Sequence, residues 1–221
     1  MIKVCGTYLP DMRMQFALIG LILSTSGVAA GQGLQRFDFK NYSFPWGGPP
    51  NGSDRLEWLD LSESKTVRLS DGRWADPVET EERAKYNLPF AGLTLESVTI
   101  GDLTGQGRDD AIVVLRYDTG GTQFSYFVYV YRSTAGGPKL VAYFHAGDRS
   151  ASGLYQVYAH NKELVVELYD PSKRTGDCCS SGFIRTRYRW RGNKFESIGK
   201  KEYGTPRTPS RLPVSPFGAH Q

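Results

Sequence analysis

The chain has 221 residues, of which 39% are hydrophobic and 23% are charged, and its formal net charge is +4. This composition is typical of a globular protein with one core of moderate size. The charge is too small to predict nucleic-acid binding, and no basic helix or basic–aromatic surface is visible in the sequence.

The N-terminal segment predicts export. Residues 14–30 are a short apolar run, with Arg13 before it and small residues at its end, which is typical of a secretory signal peptide. A transmembrane helix needs about 20 apolar residues, so we expect cleavage and no stable membrane span. We predict a signal peptide over residues 1–30, with Met12 as the more ordinary start, and a periplasmic or secreted protein. Cys5 precedes the apolar run and is therefore not a lipidation site.

The first residues of the mature chain predict one edge strand and then a long loop. Phe37 and Phe39 alternate with polar residues, as in a strand with one buried face. Pro45 and the glycine- and proline-rich residues 47–52 follow. Because these residue types interrupt a β-ladder, we expect a loop there.

Short elements are predicted between residues 56 and 86. Residues 56–61 and 66–69 read as short strands, and residues 70–73 contain the Asp-Gly pair that is typical of a hairpin turn. Residues 78–86 are the one predicted helix. Asp76 is suited to cap it, and the proline that follows suits the first helical position.

From residue 93 onward, strands follow one another with glycine or asparagine turns between them. The predicted strands are residues 94–101, 110–117, 123–132, 139–146, 153–159, 163–169, 183–190 and 194–198. Short strands without intervening helices predict an antiparallel meander, in the form of a twisted sheet or a barrel-like closure. We therefore predict one mainly β domain over residues 34–200, with one short helix. Residues 201–221 are rich in proline and predict a disordered or extended tail.

The strand over residues 183–190 has two different faces. Arg185, Arg187 and Arg189 alternate with apolar and neutral residues, so the arginines form a row on one face. Such a row suits an anionic polymer or a membrane headgroup. Glu163 and Glu167 lie on the preceding predicted strand, and cross-strand pairing with these carboxylates is the simpler interpretation.

The turn between the first two of these strands resembles a calcium loop. Asp102, Thr104, Gln106 and Asp110 fall at positions one, three, five and nine of that pattern, and Gly107 falls at position six. Threonine and glutamine replace the usual acids, and no glutamate stands at position twelve. The favoured interpretation is therefore a tight turn in which Asp102 accepts hydrogen bonds from backbone amides. A weak calcium site is the alternative.

Once the signal peptide is removed, Cys178 and Cys179 are the remaining cysteines. Adjacent Cα atoms lie about 3.8 Å apart across a trans peptide, whereas ordinary disulfides need about 4.4 Å or more, so a bond between them would be strained. Exposed free thiols are disfavoured in an oxidising compartment. We therefore predict a vicinal disulfide ring, with free thiols or an intermolecular bridge as alternatives.

Four stretches together resemble the LppP/LprE lipoprotein family, a group of exported bacterial proteins. They are the turn at residues 101–111, the Gly-Gly pair at 120–121, the Cys-Cys-Ser run at 178–180 and the Tyr-Arg-Trp-Arg-Gly run at 188–192. The resemblance implies an envelope or secreted location and no particular activity. This chain departs from the pattern at Gln106, where an acid is usual, and at Ser180, where proline is expected. It also lacks the lipidation cysteine.

The sequence contains no nucleophile elbow, phosphate-binding loop or histidine-rich metal motif. We therefore predict a non-catalytic binding or structural module of the bacterial envelope, with an unknown envelope or extracellular ligand and no cofactor other than the possible calcium. The predicted contact surface combines the cysteine pair with Tyr169, Phe183 and Tyr188, beside the arginine row. The alternative is a secreted hydrolase-like or thiol-redox enzyme that uses Asp102 and Asp110 or the cysteine pair.

Overall fold

The structure is a computed structural model that describes seven stretches of the chain. These stretches are residues 33–47, 57–58, 64–86, 91–121, 124–147, 153–175 and 179–205. All of them belong to one compact unit, Gly31–Gln221. The predicted signal segment, Cys178 and the residues from 206 onward lie outside the described residues.

The described residues form a mainly β fold with one α-helix, α1, Pro77–Tyr86. The strands are β1 Ser43–Trp46, β2 Glu57–Trp58, β3 Lys65–Arg68, β4 Arg73–Ala75, β5 Gly92–Gly101, β6 Asp110–Asp118, β7 Phe124–Thr134, β8 Gly137–Ala146, β9 Leu154–His160, β10 Glu163–Tyr169, β11 Arg174–Thr175, β12 Cys179–Ser180, β13 Phe183–Arg191 and β14 Lys194–Gly204. All pairings between these strands are antiparallel. The predicted fold class is therefore confirmed.

Two large sheets and two small ones contain these strands. The six-stranded sheet has the order β2-β8-β7-β6-β5-β4, and the four-stranded sheet has the order β14-β13-β10-β9. β1 pairs with β3, and β11 pairs with β12. Because neighbours in each large sheet mostly follow one another along the chain, both are meanders, as predicted. Of the two predicted forms, the described strands take the open one.

β6 runs through the middle of the molecule because both of its faces are apolar. Its first six residues are all buried, and so are the five central residues of β7. Ile112 and Val114 face the four-stranded sheet, whereas Val113 and Leu115 face residues 33–47. The prediction that β6 and β7 are central strands is confirmed.

The core consequently has two layers of different chemistry. The layer that includes residues 33–47 is rich in aromatic residues, including Phe39, Phe44, Trp46, Tyr129, Tyr131 and Tyr143. The layer between the two large sheets is mostly aliphatic, including Ile112, Val114, Val128, Val130, Leu164 and Val166. The aromatic layer also anchors β1, because the hydroxyl of Tyr129 donates a 2.9 Å hydrogen bond to the carbonyl of Pro45.

The structure of residues 33–47 contradicts two sequence predictions. Phe37 and Phe39 do not lie in an edge strand, since single 3-10 turns occupy Leu34–Arg36 and Phe39–Asn41. The two rings contact each other, with centroids 4.9 Å apart, and both pack on the aromatic layer. Pro45 lies within β1 and not in a loop. Its missing N–H is tolerated because β1 belongs to a sheet of only two strands.

The predicted turn and helix agree with the structure. Asp71 and Gly72 have φ values of 49° and 79°, which is the backbone of a type I′ turn. Ser70 and Arg73 exchange two backbone hydrogen bonds of 2.8 and 3.1 Å across it. Within the described part of the chain, no helix is long and apolar enough to cross a membrane.

β14 is longer than the sequence predicted. The predicted strand ended at residue 198, but β14 continues to Gly204. Gly199 has a φ of 67°, and the register between β13 and β14 shifts between Arg185 and Arg187. This β-bulge breaks the alternation that marks a strand in the sequence. The prediction of a tail that begins at residue 201 is therefore wrong by four residues.

Candidate functional site

One face of the four-stranded sheet points away from the six-stranded sheet, and we call it the outer face. Four cross-strand pairs of β10 and β13 lie on it. They are Glu163 with Arg189, Val165 with Arg187, Glu167 with Arg185, and Tyr169 with Phe183. The residues between them, such as Leu164 and Val166, point into the aliphatic layer. The period of two along each strand thus separates a polar and aromatic face from an apolar one.

The arginine row of the outer face is paired with carboxylates, as the sequence predicted. Nε of Arg185 donates a 2.7 Å hydrogen bond to Oε1 of Glu167. Nη2 of Arg189 donates a 2.5 Å hydrogen bond to Oε1 of Glu163. Nη1 of Arg187 lies 3.8 Å from Oε2 of the same glutamate. The cross-strand interpretation is therefore confirmed by the geometry.

Further partners complete this charge network. Nη1 of Arg185 also donates to Oε2 of Glu202 on β14 at 3.1 Å, and the hydroxyl of Tyr158 donates to Oε1 of Glu167 at 3.1 Å. The hydrogen bond that Arg185 donates to Glu167 raises the pKa of the Arg185 guanidinium. Because each arginine of the row lies within 4.0 Å of a carboxylate oxygen, the row is a compensated network. It provides no excess positive charge for an anionic polymer.

Beside the arginine row lies a group of three partly exposed aromatic rings, Tyr155, Tyr169 and Phe183, which we call the aromatic cluster. The rings of Tyr155 and Phe183 are stacked, with centroids 5.4 Å apart and planes inclined by 15°. Tyr169 meets Tyr155 edge-on, also at 5.4 Å. The guanidinium carbon of Arg185 lies 5.4 Å from the centroid of Phe183, which continues the cluster into the charge network.

The sequence did not identify Tyr155 as a member of this cluster. Strict alternation along β9 places Tyr155 on the face opposite to Gln156 and Tyr158. The register between β9 and β10 shifts after the pair of Gln156 and Glu167, and Leu154 then pairs with Leu168. Tyr155 is the extra residue of this β-bulge, which frees its side chain to reach the outer face. A bulge of this kind has no signal in the local residue pattern.

Tyr188 does not belong to the predicted contact surface. It packs on the aliphatic layer, on the opposite face of β13 from Phe183 and the arginines. Its ring centroid lies 5.5 Å from that of Trp58 on β2, in an edge-on contact. The prediction grouped aromatic residues by their closeness in sequence, whereas the period of two divides Tyr188 from Phe183.

The loop over residues 170–182 joins β10 to β13 and is closed by short hydrogen bonds. Oδ1 of Asp170 accepts from the backbone N–H of Ser172 at 2.9 Å and from its hydroxyl at 2.7 Å. The hydroxyl of Ser180 donates to the carbonyl of Asp170 at 2.5 Å. The backbone N–H of Ser181 donates to the carbonyl of Lys173 at 3.0 Å. The last two of these hydrogen bonds connect the beginning of the loop to its end.

The cysteine pair belongs to this loop. Cys179 lies in β12, where its backbone pairs with Thr175. Cys178 is outside the described residues, so the vicinal disulfide stays a prediction. Because Tyr169 and Phe183 form the last pair of the ladder before the loop, the loop begins and ends at the aromatic cluster. The backbone of Cys179 in β12 therefore belongs to a loop that starts and ends at the same end of the sheet as Tyr169 and Phe183.

The calcium-like turn between β5 and β6 is closed by its own backbone. Oδ1 and Oδ2 of Asp102 accept hydrogen bonds from the N–H groups of Gln106 at 3.1 Å and Gly107 at 3.0 Å. Oδ2 of Asp110 accepts from the N–H groups of Leu103 at 2.9 Å and Thr104 at 2.8 Å. This is the tight-turn arrangement that the sequence favoured over a metal site.

Asp110 itself is fully buried. Its second oxygen, Oδ1, lies 3.9 Å from Nε of Arg132, whose guanidinium stacks on Trp190 with 4.8 Å between the guanidinium carbon and the ring centroid. Desolvation raises the pKa of the Asp110 carboxyl, against the opposing effect of the amide hydrogen bonds. A buried carboxylate that supports a turn in this way is a structural group, since solvent and substrates do not reach it.

Across the stretches that the structure describes, no group of three or more histidine, cysteine, aspartate or glutamate residues is placed to hold a metal ion. Comparison with known proteins returned no match, either to a family model, to a curated protein or to a solved structure. The resemblance to the LppP/LprE family therefore rests only on the sequence motifs themselves.

Proposed function

We propose that the chain is an exported, non-catalytic binding module of the bacterial cell envelope. Its contact surface would be the aromatic cluster together with the adjoining cysteine loop. The single observation that supports this proposal is the position of Tyr155, Tyr169 and Phe183. Three aromatic rings lie partly exposed on the outer face, although the molecule has two apolar layers that bury other aromatic rings.

The chemistry of the surface narrows the class of ligand. The neighbouring arginines are paired with Glu163, Glu167 and Glu202, so attraction of a polyanion is not the basis of binding. The cluster combines the phenyl ring of Phe183 with the hydroxyl-bearing rings of Tyr155 and Tyr169, which favours ligands that present both apolar faces and hydrogen-bonding groups. The export that we propose is supported by the apolar residues 14–30 and by the resemblance to envelope proteins.

The test compares two tyrosine variants of the mature protein. Tyr155→Ala removes a ring from the aromatic cluster, whereas Tyr86→Ala removes a ring that is 74% exposed at the end of α1. Each protein is sedimented with purified peptidoglycan sacculi and, separately, with envelope membranes. We expect the wild type and Tyr86→Ala to be carried into one of the pellets and Tyr155→Ala to stay in the supernatant. Equal sedimentation of all three proteins, or of none, would contradict the proposal.

The hydrolase-like alternative gains no support from the turn at residues 102–110. Both oxygens of Asp102 accept amide hydrogen bonds, and Asp110 is buried. The thiol-redox alternative depends on Cys178 and Cys179. Intact mass of the exported protein, with alkylation before and after reduction, distinguishes the possibilities. Two labels that appear only after reduction of a monomer indicate the ring, whereas two labels without reduction indicate free thiols and favour the redox role.

A further inference from the structure

The described part of the chain ends beside the aromatic cluster. Gly204, the last residue of β14, pairs with Phe183 of β13. A Cβ atom added at Gly204 would lie 2.7 Å from Cε1 of the Phe183 ring. The absence of a side chain therefore lets the ring lie directly on the strand. Thr205 follows as the last described residue, so the chain continues from the edge of the cluster.

The sixteen residues that follow, 206–221, have a composition that suits aromatic surfaces. Pro206 and Pro209 are three positions apart, and so are Pro213 and Pro216. A polyproline II helix has about three residues per turn, so prolines at this spacing lie on one side of it. Proline-rich segments of this form bind to grooves lined by aromatic side chains, with little loss of conformational entropy.

The segment is also long enough to cross the outer face. Tyr155 on β9 is three strands away from β14, which corresponds to about 14 Å at the usual strand spacing. An extended segment advances about 3.1 Å per residue, so residues 206–209 already span most of this distance. Charge does not oppose the contact, because the arginines of the outer face are paired with carboxylates.

We propose that the proline-rich segment, residues 206–221, docks on the aromatic cluster of its own chain. The docking needs no external ligand and is therefore independent of the function proposed above. Its consequence, that the segment competes with a ligand for the same rings, rests on that proposed function. The segment would then act as a built-in competitor that a tighter ligand displaces.

Trypsin provides the test, because Arg207 and Arg211 lie within the segment. The rate of cleavage after these arginines is measured for the full mature chain and for a synthetic peptide of residues 203–221. Proteolysis follows the population of the accessible form when opening is fast, so we expect cleavage about tenfold slower in the full chain. Equal rates in chain and peptide would overturn the proposal.

Two variants show whether the aromatic cluster is the docking surface. Tyr155→Ala should raise the cleavage rate to that of the peptide, and Tyr86→Ala should leave it at the wild-type value. Protection that survives Tyr155→Ala means that the segment docks elsewhere, which contradicts the proposal. If Tyr155→Ala alters the fold by circular dichroism, the four prolines are replaced by serine instead. That variant is compared with a peptide carrying the same replacements, and it should lose the protection.

A dilution series completes the experiment. Docking within one chain gives protection that does not change with protein concentration, and this is the expected result. Protection that disappears on dilution would assign the segment to a second copy and would overturn the intramolecular proposal. No ligand is present in any of these measurements, so their outcome is separate from that of the sedimentation test.

Discussion

The two faces of the four-stranded sheet bury their residues by different means. On the inner face, Leu164 and Val166 of β10 are 0% and 1% exposed, and they pack against aliphatic side chains of the six-stranded sheet. On the outer face of the same strand, Glu163 and Glu167 are 6% and 2% exposed. Their carboxylates are covered by hydrogen-bonded arginines from β13 and not by a second sheet. The side chains of β10 are thus buried by apolar packing on one face and by ion pairs on the other.

This difference predicts that the two faces contribute unequally to the free energy of unfolding. Apolar packing stabilises in proportion to the area removed from water. Ion pairs of low exposure contribute less, because desolvation opposes the attraction between the charges. We therefore expect the inner face to supply most of the folding free energy.

The largest effect is expected from a cavity on the inner face. Leu164→Ala removes a fully buried side chain from the aliphatic layer. Substitutions of this kind reduce the free energy of unfolding by about 2–5 kcal/mol. Urea unfolding followed by circular dichroism measures the loss. A smaller loss than that of the outer-face variant described next would contradict the proposed division between the faces.

A smaller effect is expected from the outer face. Glu167→Ala removes the acceptor of Arg185 and of the Tyr158 hydroxyl. Hydrogen bonds to charged groups contribute about 1.5–3 kcal/mol, and solvent access to Arg185 places the expected loss at the lower end. Glu196→Ala is the matched control, since its pair with Lys194 is exposed and should contribute less than about 1 kcal/mol. Equal losses for the two glutamate variants would show that burial of Glu167 has no energetic consequence.

Much of the arrangement of the two large sheets was predictable from the sequence, because the alternation of residue types along a strand shows which side chains share a face. The arginine row, the central position of β6 and the pairing of Glu163 and Glu167 with β13 follow from the period of two and the order of the strands. The inference fails where a bulge interrupts the period. Tyr155 and the end of β14 both follow such interruptions, and a bulge depends on pairing with the neighbouring strand rather than on local residues.

The candidate site shows the same limit. Phe183 and Tyr169 were predicted, but Tyr188 was grouped with them although it packs in the aliphatic layer. Phe37 and Phe39 show a second limit. Their alternation suggested a strand, whereas 3-10 turns at Leu34–Arg36 and Phe39–Asn41 place both rings on one core without a strand. Residue patterns identify which side chains share a face only after the backbone conformation is known.

The end of β14 provides a local test of the outer face. Gly204→Ala gains strand propensity but places a Cβ atom against the ring of Phe183. We expect the crowding to outweigh the gain by about 1 kcal/mol, since overpacking is costly where the ring is held by neighbours. Faster amide hydrogen exchange in residues 200–204, with global unfolding nearly unchanged, is the expected observation. Gly47→Ala is the control, because open space surrounds that position. Unchanged exchange in Gly204→Ala would mean that the ring moves aside freely.

The smallest expected effect on the free energy of unfolding concerns Asp110. Its nearest arginine nitrogen is 3.9 Å away, whereas that of Glu167 is 2.7 Å away. Burial raises the pKa of Asp110 in the folded state, so the folded protein holds the proton more tightly than the unfolded chain does. The free energy of unfolding therefore decreases as pH rises through the interval from the ordinary aspartate value, about 3.9, to the raised folded value, and it is constant above that interval. Asp110→Asn should remove this contribution while an amide oxygen still accepts from Leu103 and Thr104.

Stability curves of wild type and Asp110→Asn, measured from pH 3 to pH 7, give the difference directly. We expect the free energy of unfolding of the variant to increase relative to that of the wild type as pH rises, until the difference becomes constant near neutrality. Subtraction of the two curves isolates Asp110, because the other carboxylates are common to both proteins. A difference that grows as the pH falls would mean that Arg132, 3.9 Å from Oδ1, and the two amide donors stabilise the ionised form more than burial opposes it. The electrostatic stabilisation seen in the ion pairs of the outer face would then extend into the buried turn.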